Sequence, residues 1–566
     1  MKLLHLEIEN FRGIRYSDIT FPEKTKIAIL IGAGDSTKST LLTAIRWNLW
    51  PSWNLLPTDT DFYEQCISNS IIITGTYGDL PRELLSEDKF GLFLRVPNIP
   101  YDNSTDDEPQ TGKPLCVTIR LTIDASLEPR WEVVCNRKDP KSISASDRKK
   151  MNISVIGDDA ITDLMWGRNS VLHQFIDSKD LFHNTYITTM REVANHADMS
   201  ALNSIAPIVK QAGKEYGVSF DGEITNRLTY QNTNVTNAVC LFDGDAPFSL
   251  RGLGSRRLLS IGLNLSVTNN DSLLIIDEIE NGLEPYRIKS LINLFRTKQS
   301  SYGQIILTTH SPVVVSEAKL NELLFVNSKS GETKINQLVV SSENRDFIQG
   351  QIRTNADAFL SRRLIVCEGK TEIGYLRAFD NYIERTIHER MAYYGVGTFL
   401  GTGESVLKCA QMLYNLGYEV CVFMDSDKPN EEATKNDFRN NGIPVFDWNP
   451  NNAIEDQLFL DSPPFVVQEL INIATIEKGV TAIKSQIIDI PCTINGDYLV
   501  LESLTEEIRK RLGKTSKKKG NCWYKRIDLG EMLGDVVFSH ILEYDEHGCV
   551  RQLNRSLLEW IKKANG

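Results

Sequence analysis

The sequence predicts an α/β fold on three observations. Short apolar runs of strand type recur, several end abruptly in acidic, hydroxyl or glycine residues, and helical periodicity follows those ends. Ile27 to Ile31 leads through a glycine-containing turn into a helical pattern over Thr40 to Trp50, while Leu364 to Cys367 and Val420 to Met424 both end in carboxylates. At 566 residues, the chain is long enough for roughly three or four domains.

Composition narrows the class. Hydrophobic content of 41% and charged content of 24% exclude a mainly disordered or collagen-like chain. Against 74 Asp and Glu there are 62 Lys and Arg, a net charge of −12, which argues against a non-specific nucleic-acid coat protein but leaves room for a local basic site. The ten cysteines are scattered without a CxxC pair, so neither a disulfide framework nor a four-cysteine zinc site is expected, and a reducing cytoplasm fits. Met1 to Ile14 alternates like a strand and lacks the regions of a signal peptide. No apolar stretch approaches about 18 residues, so no membrane span is expected.

In chain order, residues 1–155 read as strands and loops, with a polar acidic loop from Pro100 to Lys113. Residues 156–234 read as more helical, and Leu202, Ile205, Val209 and Ala212 share one face, suited either to core packing or to a dimer contact. Strand patterns return by Ala238, and apolar strands follow at Leu273 to Ile276 and Gln304 to Thr308. A polar stretch near Ser341 to Asn355 precedes a further α/β pattern. The expected units are therefore 1–155, 156–234, 235–350 and 351–566.

Gly32-Ala-Gly34-Asp35-Ser-Thr37-Lys38-Ser39-Thr40 lies between a strand and a helix, the order in which backbone N–H groups and a helix N-terminus surround phosphates. Lys38 would reach the β and γ phosphates of ATP, and Ser39 would ligate Mg²⁺. The strict pattern has glycine where this chain has Thr37, whose Cβ narrows the loop's conformations. Leu273 to Ile276 ends in Asp277 and Glu278, one carboxylate suited to Mg²⁺ and the other to the attacking water. His310 follows the next strand; a lone histidine there is often structural, but its position after the acidic pair favours sensing of a γ phosphate. Between them, Leu250-Arg-Gly-Leu-Gly254-Ser255-Arg-Arg257 could present donors to a phosphate or form an ordinary turn.

Taken in order, Phe11-Arg12-Gly13, the P-loop, the glycine-rich segment, Asp277-Glu278 and His310 resemble the ABC-type ATPase heads of the RecF, SMC and OLD (overcoming lysogenization defect) proteins. The resemblance spans roughly residues 1–320 and implies a homodimer or larger assembly in which Gly254 and Ser255 complete a partner's ATP site. About 240 residues separate Lys38 from Asp277 without a heptad repeat, which excludes a long coiled coil.

A second chemical site follows. Leu364 to Cys367 ends in Glu368-Gly-Lys-Thr-Glu372, and Val420 to Met424 ends in Asp425-Ser-Asp427. Carboxylates at the ends of two parallel strands would converge on one crevice and repel one another without a cation, which points to Mg²⁺ or Mn²⁺; alternatively, Asp425 and Asp427 cap a helix. Glu455 suits either a further ligand or a solvated helix start. Arg509 to Arg526 holds nine Lys or Arg and no acid, with Trp523 and Tyr524 beside Lys525, as in a solvated segment or a contact to a phosphate backbone. His540, His547 and Cys549 lack zinc spacing.

The paired acidic motifs resemble the Toprim domain of topoisomerases, primases and OLD nucleases. The resemblance matches Glu368, Asp425 and Asp427 to its acids, Glu372 to the second acid of the OLD pattern, and Lys525 to the C-terminal catalytic lysine. Together, the expected architecture is an ABC-type ATPase head with a helical, dimerisation-type insertion, followed by a Toprim α/β domain, as in OLD-family endonucleases. The P-loop wording and Asn-Cys-Trp-Tyr-Lys-Arg resemble effector nucleases encoded beside retron reverse transcriptases. That resemblance implies a bacterial anti-phage role, with DNA as substrate and a reverse transcriptase with its multicopy single-stranded DNA as partners. The chemistry implied is metal-dependent phosphodiester hydrolysis with slow ATP turnover; the alternative is a RecF-like, ATP-dependent DNA-binding repair protein without nuclease activity.

Overall fold

The computed structural model describes residues 1–22, 25–96, 108–109, 114–157, 188–193, 196, 242–243, 246–247, 250–268, 272–300, 302–338 and 342–563. Most of the expected acidic loop at Pro100 to Lys113 and of the helical insertion, including Leu202, Ile205, Val209 and Ala212, lies outside these residues, as does Ala238.

A twelve-stranded mixed sheet forms the first half. Its strands are β1 (Lys2–Phe11), β2 (Ile14–Thr20), β3 (Ile27–Ile31), β4 (Ile71–Gly78), β5 (Cys116–Ile123), β6 (Arg130–Cys135), β7 (Lys138–Ser142), β8 (Ile153–Ile156), β11 (Leu273–Ile276), β12 (Gln304–Thr308), β13 (Leu323–Lys329) and β14 (Glu332–Asn336). A two-residue ladder, β9 (Phe242–Asp243) with β10 (Ala246–Pro247), lies between. The order is β7-β6-β5-β4-β1-β2-β14-β13-β3-β12-β11-β8. The β7 to β2 lobe is antiparallel, while β13, β3, β12, β11 and β8 run parallel. The parallel strands β3, β11 and β12 are buried along their whole length, β3 and β11 as unbroken apolar runs and β12 with Gln304 and Thr308 at the ends of its apolar centre.

The second sheet is parallel throughout: β15 (Arg363–Cys367), β16 (Val396–Leu400), β17 (Glu419–Met424) and β18 (Val445–Asp447), in the order β16-β15-β17-β18. From β15 the chain goes first to one side and then to the other, so a topological switch point, where α/β sheets open a crevice, falls between β15 and β17. A hairpin, β19 (Cys492–Asn495) with β20 (Tyr498–Leu501), and several helices complete this half. The α/β class read from the sequence holds, with a central sheet in each half.

Two findings depart from the expected division. The polar stretch before the second sheet forms a helix, Arg345–Thr354, burying Ile348, Gln351 and Ile352, so the boundary drawn at 350/351 falls inside a packed element. One continuous core also runs from Ile29, Leu307 and Phe325 of the first sheet through Ile352 to Leu364, Val366 and Val422 of the second. Phe325 packs on Phe359 and Tyr418 at ring separations of 5.7 and 6.5 Å. The halves share apolar burial rather than a polar linker.

Candidate functional site

The P-loop follows β3 and opens the helix Lys38–Asn48. Thr37 adopts φ 66° and ψ 13°, the left-handed region in which glycine avoids a steric cost, so the departure from the usual pattern falls where backbone conformation matters most. Its hydroxyl is held by the Ser36 carbonyl at 2.6 Å and by the Thr333 hydroxyl at 2.9 Å, a contact from β14. The buried Lys38 ammonium donates to the carbonyls of Gly32 (3.0 Å) and Ala33 (2.8 Å) and to Ser36 Oγ (3.0 Å). Burial lowers its pKa to about 8 against the pull of Asp277, Asp35, Glu278 and Glu280. A phosphate chain would restore the charge burial disfavours.

The expected carboxylate pair stands opposite. Ser39 Oγ donates to Asp277 Oδ1 at 3.1 Å, and Thr308 Oγ1 donates to the same oxygen at 2.5 Å. The Glu278 N–H donates to Thr308 Oγ1 at 2.8 Å. His310 is exposed after β12, its backbone N–H held by Glu280. Gly254 and Ser255 lie in the first turn of the helix Leu253–Val267, against the Gly282 turn; an added Cβ at Gly254 would stand 2.3 Å from Gly282 O. From that helix the buried Arg257 donates to the carbonyls of Asp277 and Glu278 and, at 2.9 Å, to Gly157 O. Arg257 thus supports the backbone of the acidic pair.

At the switch point of the second sheet, parallel pairing sets Cys367 opposite Phe423, so Glu368 and Asp425 emerge almost level. Glu368 accepts from the Asp425 N–H at 3.2 Å and from Lys428 Nζ at 2.7 Å. Asp425 Oδ1 accepts from the Ile454 N–H at 2.9 Å, which ties the start of the Ile454–Asp461 helix, and with it Glu455, to the cluster. Glu372 enters from the first turn of the helix Lys370–Ile387. Lys525 arrives from far along the chain because the helix Ile527–Ser539 crosses Lys370–Ile387 at very close range. An added Cβ at Gly374 would stand 2.1 Å from Ile527 O, and one at Gly530 would stand 2.4 Å from Thr371 O. Thr371 Oγ1 donates to Tyr524 O at 3.1 Å, fixing the residue before Lys525.

The electrostatics are those of crowded acids. Burial, then Glu455 and Glu368, push the Glu372 carboxyl up to about 7. Burial followed by Glu372, Glu455 and Glu368 raises Asp425 well above the carboxylate range, and burial raises Glu455. Burial opposes the charge of Lys525, but Glu455, Glu372 and Asp425 outweigh it and hold its pKa above the ordinary value. Glu455 Oε1 is buried without a hydrogen-bond partner. Among the described residues, however, no three His, Cys, Asp or Glu side chains already stand as a metal-ligand set. Lysines hold some of the acids apart: Lys428 takes Glu368, and Lys517 pairs with Asp427 at 3.5 Å and with Asp456. The structure therefore brings together Glu368, Glu372, Asp425, Glu455 and Lys525 and leaves Asp427 exposed at the margin.

The basic segment is corrected in one respect. Trp523 and Tyr524 are fully buried, Trp523 Nε1 donating to Gln486 Oε1 at 2.9 Å and Tyr524 OH to Leu470 O at 2.7 Å, so neither ring is open to a nucleobase. Arg509 donates to the carbonyls of Phe459, Leu460 and Ser462, while Lys510, Arg511, Lys517 and Arg526 form ion pairs. Lys514, Lys518, Lys519 and Lys525 remain for a ligand.

Sequence reading missed the supporting cations. Lys435, almost completely buried, donates to Asp425 O (2.8 Å), Ser426 Oγ (3.1 Å) and Asp447 Oδ2 (3.1 Å), with Arg439 on the other Asp447 oxygen. Its only signal in the sequence is a helical position ten residues after Asp425.

Comparison with known proteins adds kinship. Residues 182–316 match the family described as "AAA domain, putative AbiEii toxin, Type IV TA system". The Old nuclease of Escherichia phage P2 is 22% identical over 474 residues, covering 75% of this chain and 77% of that protein. The SMC head domain from Thermotoga maritima is 13% identical over 60% of this chain and all of that one, with a TM-score of 0.29. The Smc head domain with an extended coiled coil derived from Pyrococcus furiosus is 14% identical over 62% of this chain and 99% of that one, with a TM-score of 0.34. Both structures overlay only loosely. The chain is thus similar to a nuclease and contains an ATPase-like stretch. Among the described residues, no helix is long and apolar enough to cross a membrane.

Proposed function

We propose that the chain is an ATP-regulated, divalent-metal-dependent DNA endonuclease: an ABC-type ATPase head joined to a Toprim-type module, working as a homodimer or larger assembly in bacterial anti-phage defence of the retron kind. The observation that carries the nuclease reading is the carboxylate cluster between β15 and β17. It crowds four carboxyl groups against two lysines, Lys428 and Lys525, so that burial and mutual repulsion disfavour their ionisation in the absence of a cation, and Glu455 Oε1 has no donor. Hard oxygen donors in surplus suit Mg²⁺ or Mn²⁺, which Glu368, Glu372, Asp425 and Glu455 would hold, with Asp427 beside them. Such an ion supplies Lewis acidity and a more acidic water. The chain's own side chains do the rest. Lys435 and the Ile454 N–H fix Asp425, and Lys525 sets a positive charge where a phosphate in flight gains negative charge.

In the ATPase half, Lys38 is positioned for the β and γ phosphates, Ser39 and Asp277 for Mg²⁺, Glu278 for the attacking water and His310 for the γ phosphate. Gly254 and Ser255 would serve a partner's site. The strained Thr37 makes turnover slow, so ATP acts as a conformational regulator. Similarity to the phage P2 Old nuclease supports the nuclease assignment, and the AAA-type match supports nucleotide binding. A reverse transcriptase with its single-stranded DNA is the expected restraining partner, to be sought by co-purification from the native host.

Plasmid nicking in Mg²⁺ or Mn²⁺ tests the assignment. Cleavage should vanish on Glu368→Ala and on Asp425→Ala. Cleavage that survives both rejects the cluster as the active site, and ATP-dependent DNA binding without cleavage favours the RecF-like alternative.

A further inference from the structure

An open groove of about 940 Å³ lies on the first sheet, lined by Lys2, Lys26, Arg82, Lys149 and Lys150, with Asp79 and Glu83 among them. Its position separates it from the nucleotide site. Lys26 precedes β3, Asn152 precedes β8 and Gly303 precedes β12, so the groove follows the N-terminal ends of the parallel strands. Lys38 and His310 follow the C-terminal ends of β3 and β12. Among the described lining residues, five cations face two carboxylates, a local excess of three positive charges in a chain of net charge −12.

Part of that charge is engaged within the fold. Lys2 pairs with Asp79 at 3.0 Å, Lys150 with Glu83 at 3.1 Å, and Lys26 donates to Gln299 O at 2.7 Å. Arg82 and Lys149 are exposed and form no side-chain hydrogen bond or ion pair among the described residues. Each adds positive charge to a groove already rich in it.

We propose that this groove binds the phosphate backbone of duplex DNA, as a docking surface distinct from the carboxylate cluster. The lining chemistry selects the ligand. Leu80 is buried and, among the described residues, no aromatic side chain lines the groove, so these offer neither a stacking platform for single-stranded bases nor an apolar face for a lipid surface. Paired and free cations along an open channel suit a repeating anion read without regard to sequence. The inference rests on the nuclease reading only for the choice of DNA as the polymer.

Anisotropy of a fluorescein-labelled duplex of mixed sequence, measured in EDTA over a salt series, tests it. Arg82→Gln with Lys149→Gln should weaken binding roughly tenfold and reduce the slope of log affinity against log salt by about 2, equally for every sequence. Asp79→Asn, which releases Lys2, should tighten binding. A slope unchanged in the double variant overturns the proposal, as does preference for phosphatidylserine vesicles over DNA. Both altered side chains are exposed, and an unchanged melting temperature establishes that the variant is folded. Because no divalent ion is present, the two readings fail separately. Groove-dependent binding without nicking rejects the nuclease alone, and nicking without groove-dependent binding rejects the groove alone.

Discussion

Replacing Glu372 by glutamine should make the metal-free protein more stable at pH 8. An ordinary glutamate ionises near 4.5 and this one at about 7, chiefly because it is buried and then because Glu455 and Glu368 lie close. At about 1.4 kcal/mol per pH unit, the buried charge costs the folded state at most about 3.5 kcal/mol. The folded state holds the proton more tightly, so stability falls as pH rises from 4.5 to 7, and the penalty is complete above that window and absent below it. Glutamine removes the charge and keeps the shape. Calorimetry in EDTA should therefore show the variant melting on the order of 5 °C above the parent at pH 8 and level with it near pH 4.5. Mn²⁺ should then raise the parent's melting temperature more than the variant's, since the cation relieves a repulsion that glutamine has already reduced. Equal melting temperatures at pH 8, or equal stabilisation of both proteins by Mn²⁺, would refute the view that these carboxylates are waiting for a cation.

The remaining predictions concern backbone strain and a buried lysine. Thr37→Gly relieves a left-handed β-branched residue, worth about 1–3 kcal/mol, but gives up hydrogen bonds to Ser36 O and Thr333 Oγ1 of about 1 kcal/mol each. Stability should barely move while steady-state ATP turnover, followed by phosphate release, rises several-fold; unchanged turnover means that the loop does not limit it. Lys435→Met strands Asp425 O and leaves Asp447 to Arg439 and the Ser426 hydroxyl, so chemical denaturation should show a loss of about 3–5 kcal/mol. A partially folded product should nick no better than Asp425→Ala, and parent-like nicking would remove Lys435 from the positioning of the cluster.

The strands that carry chemistry were legible because each is a buried apolar run with a polar end. Ile27–Ile31, Leu273–Ile276 and Gln304–Thr308 have the bounds the sequence predicts, and β15 and β17 each begin one residue earlier than expected. Charged residues were harder to read, because one letter describes both a solvated lysine and one sealed under a sheet. Lys435, Arg257 and Lys517 look like surface charge until folding surrounds them with carbonyls and carboxylates. Trp523 and Tyr524 misled for the converse reason: six residues of Asn-Cys-Trp-Tyr-Lys-Arg show no periodicity that would reveal an inward-facing ring. The stretch before β15 hid a helix because Ile348 and Ile352 are its only strongly apolar pair at helical spacing, too little to outweigh polar neighbours.

The core shared by the two sheets constrains how such a protein can be built or rebuilt. Cutting between the halves would lay bare Phe325 on one piece and Phe359, Tyr418 and Ile352 on the other, so either piece alone would expose a sticky apolar face. The second sheet cannot be grafted onto an unrelated domain, nor exchanged between relatives by a simple crossover near residue 350, unless the facing rings travel with it. A shift in the first sheet therefore has no slack joint in which to dissipate before it reaches the acids of the second.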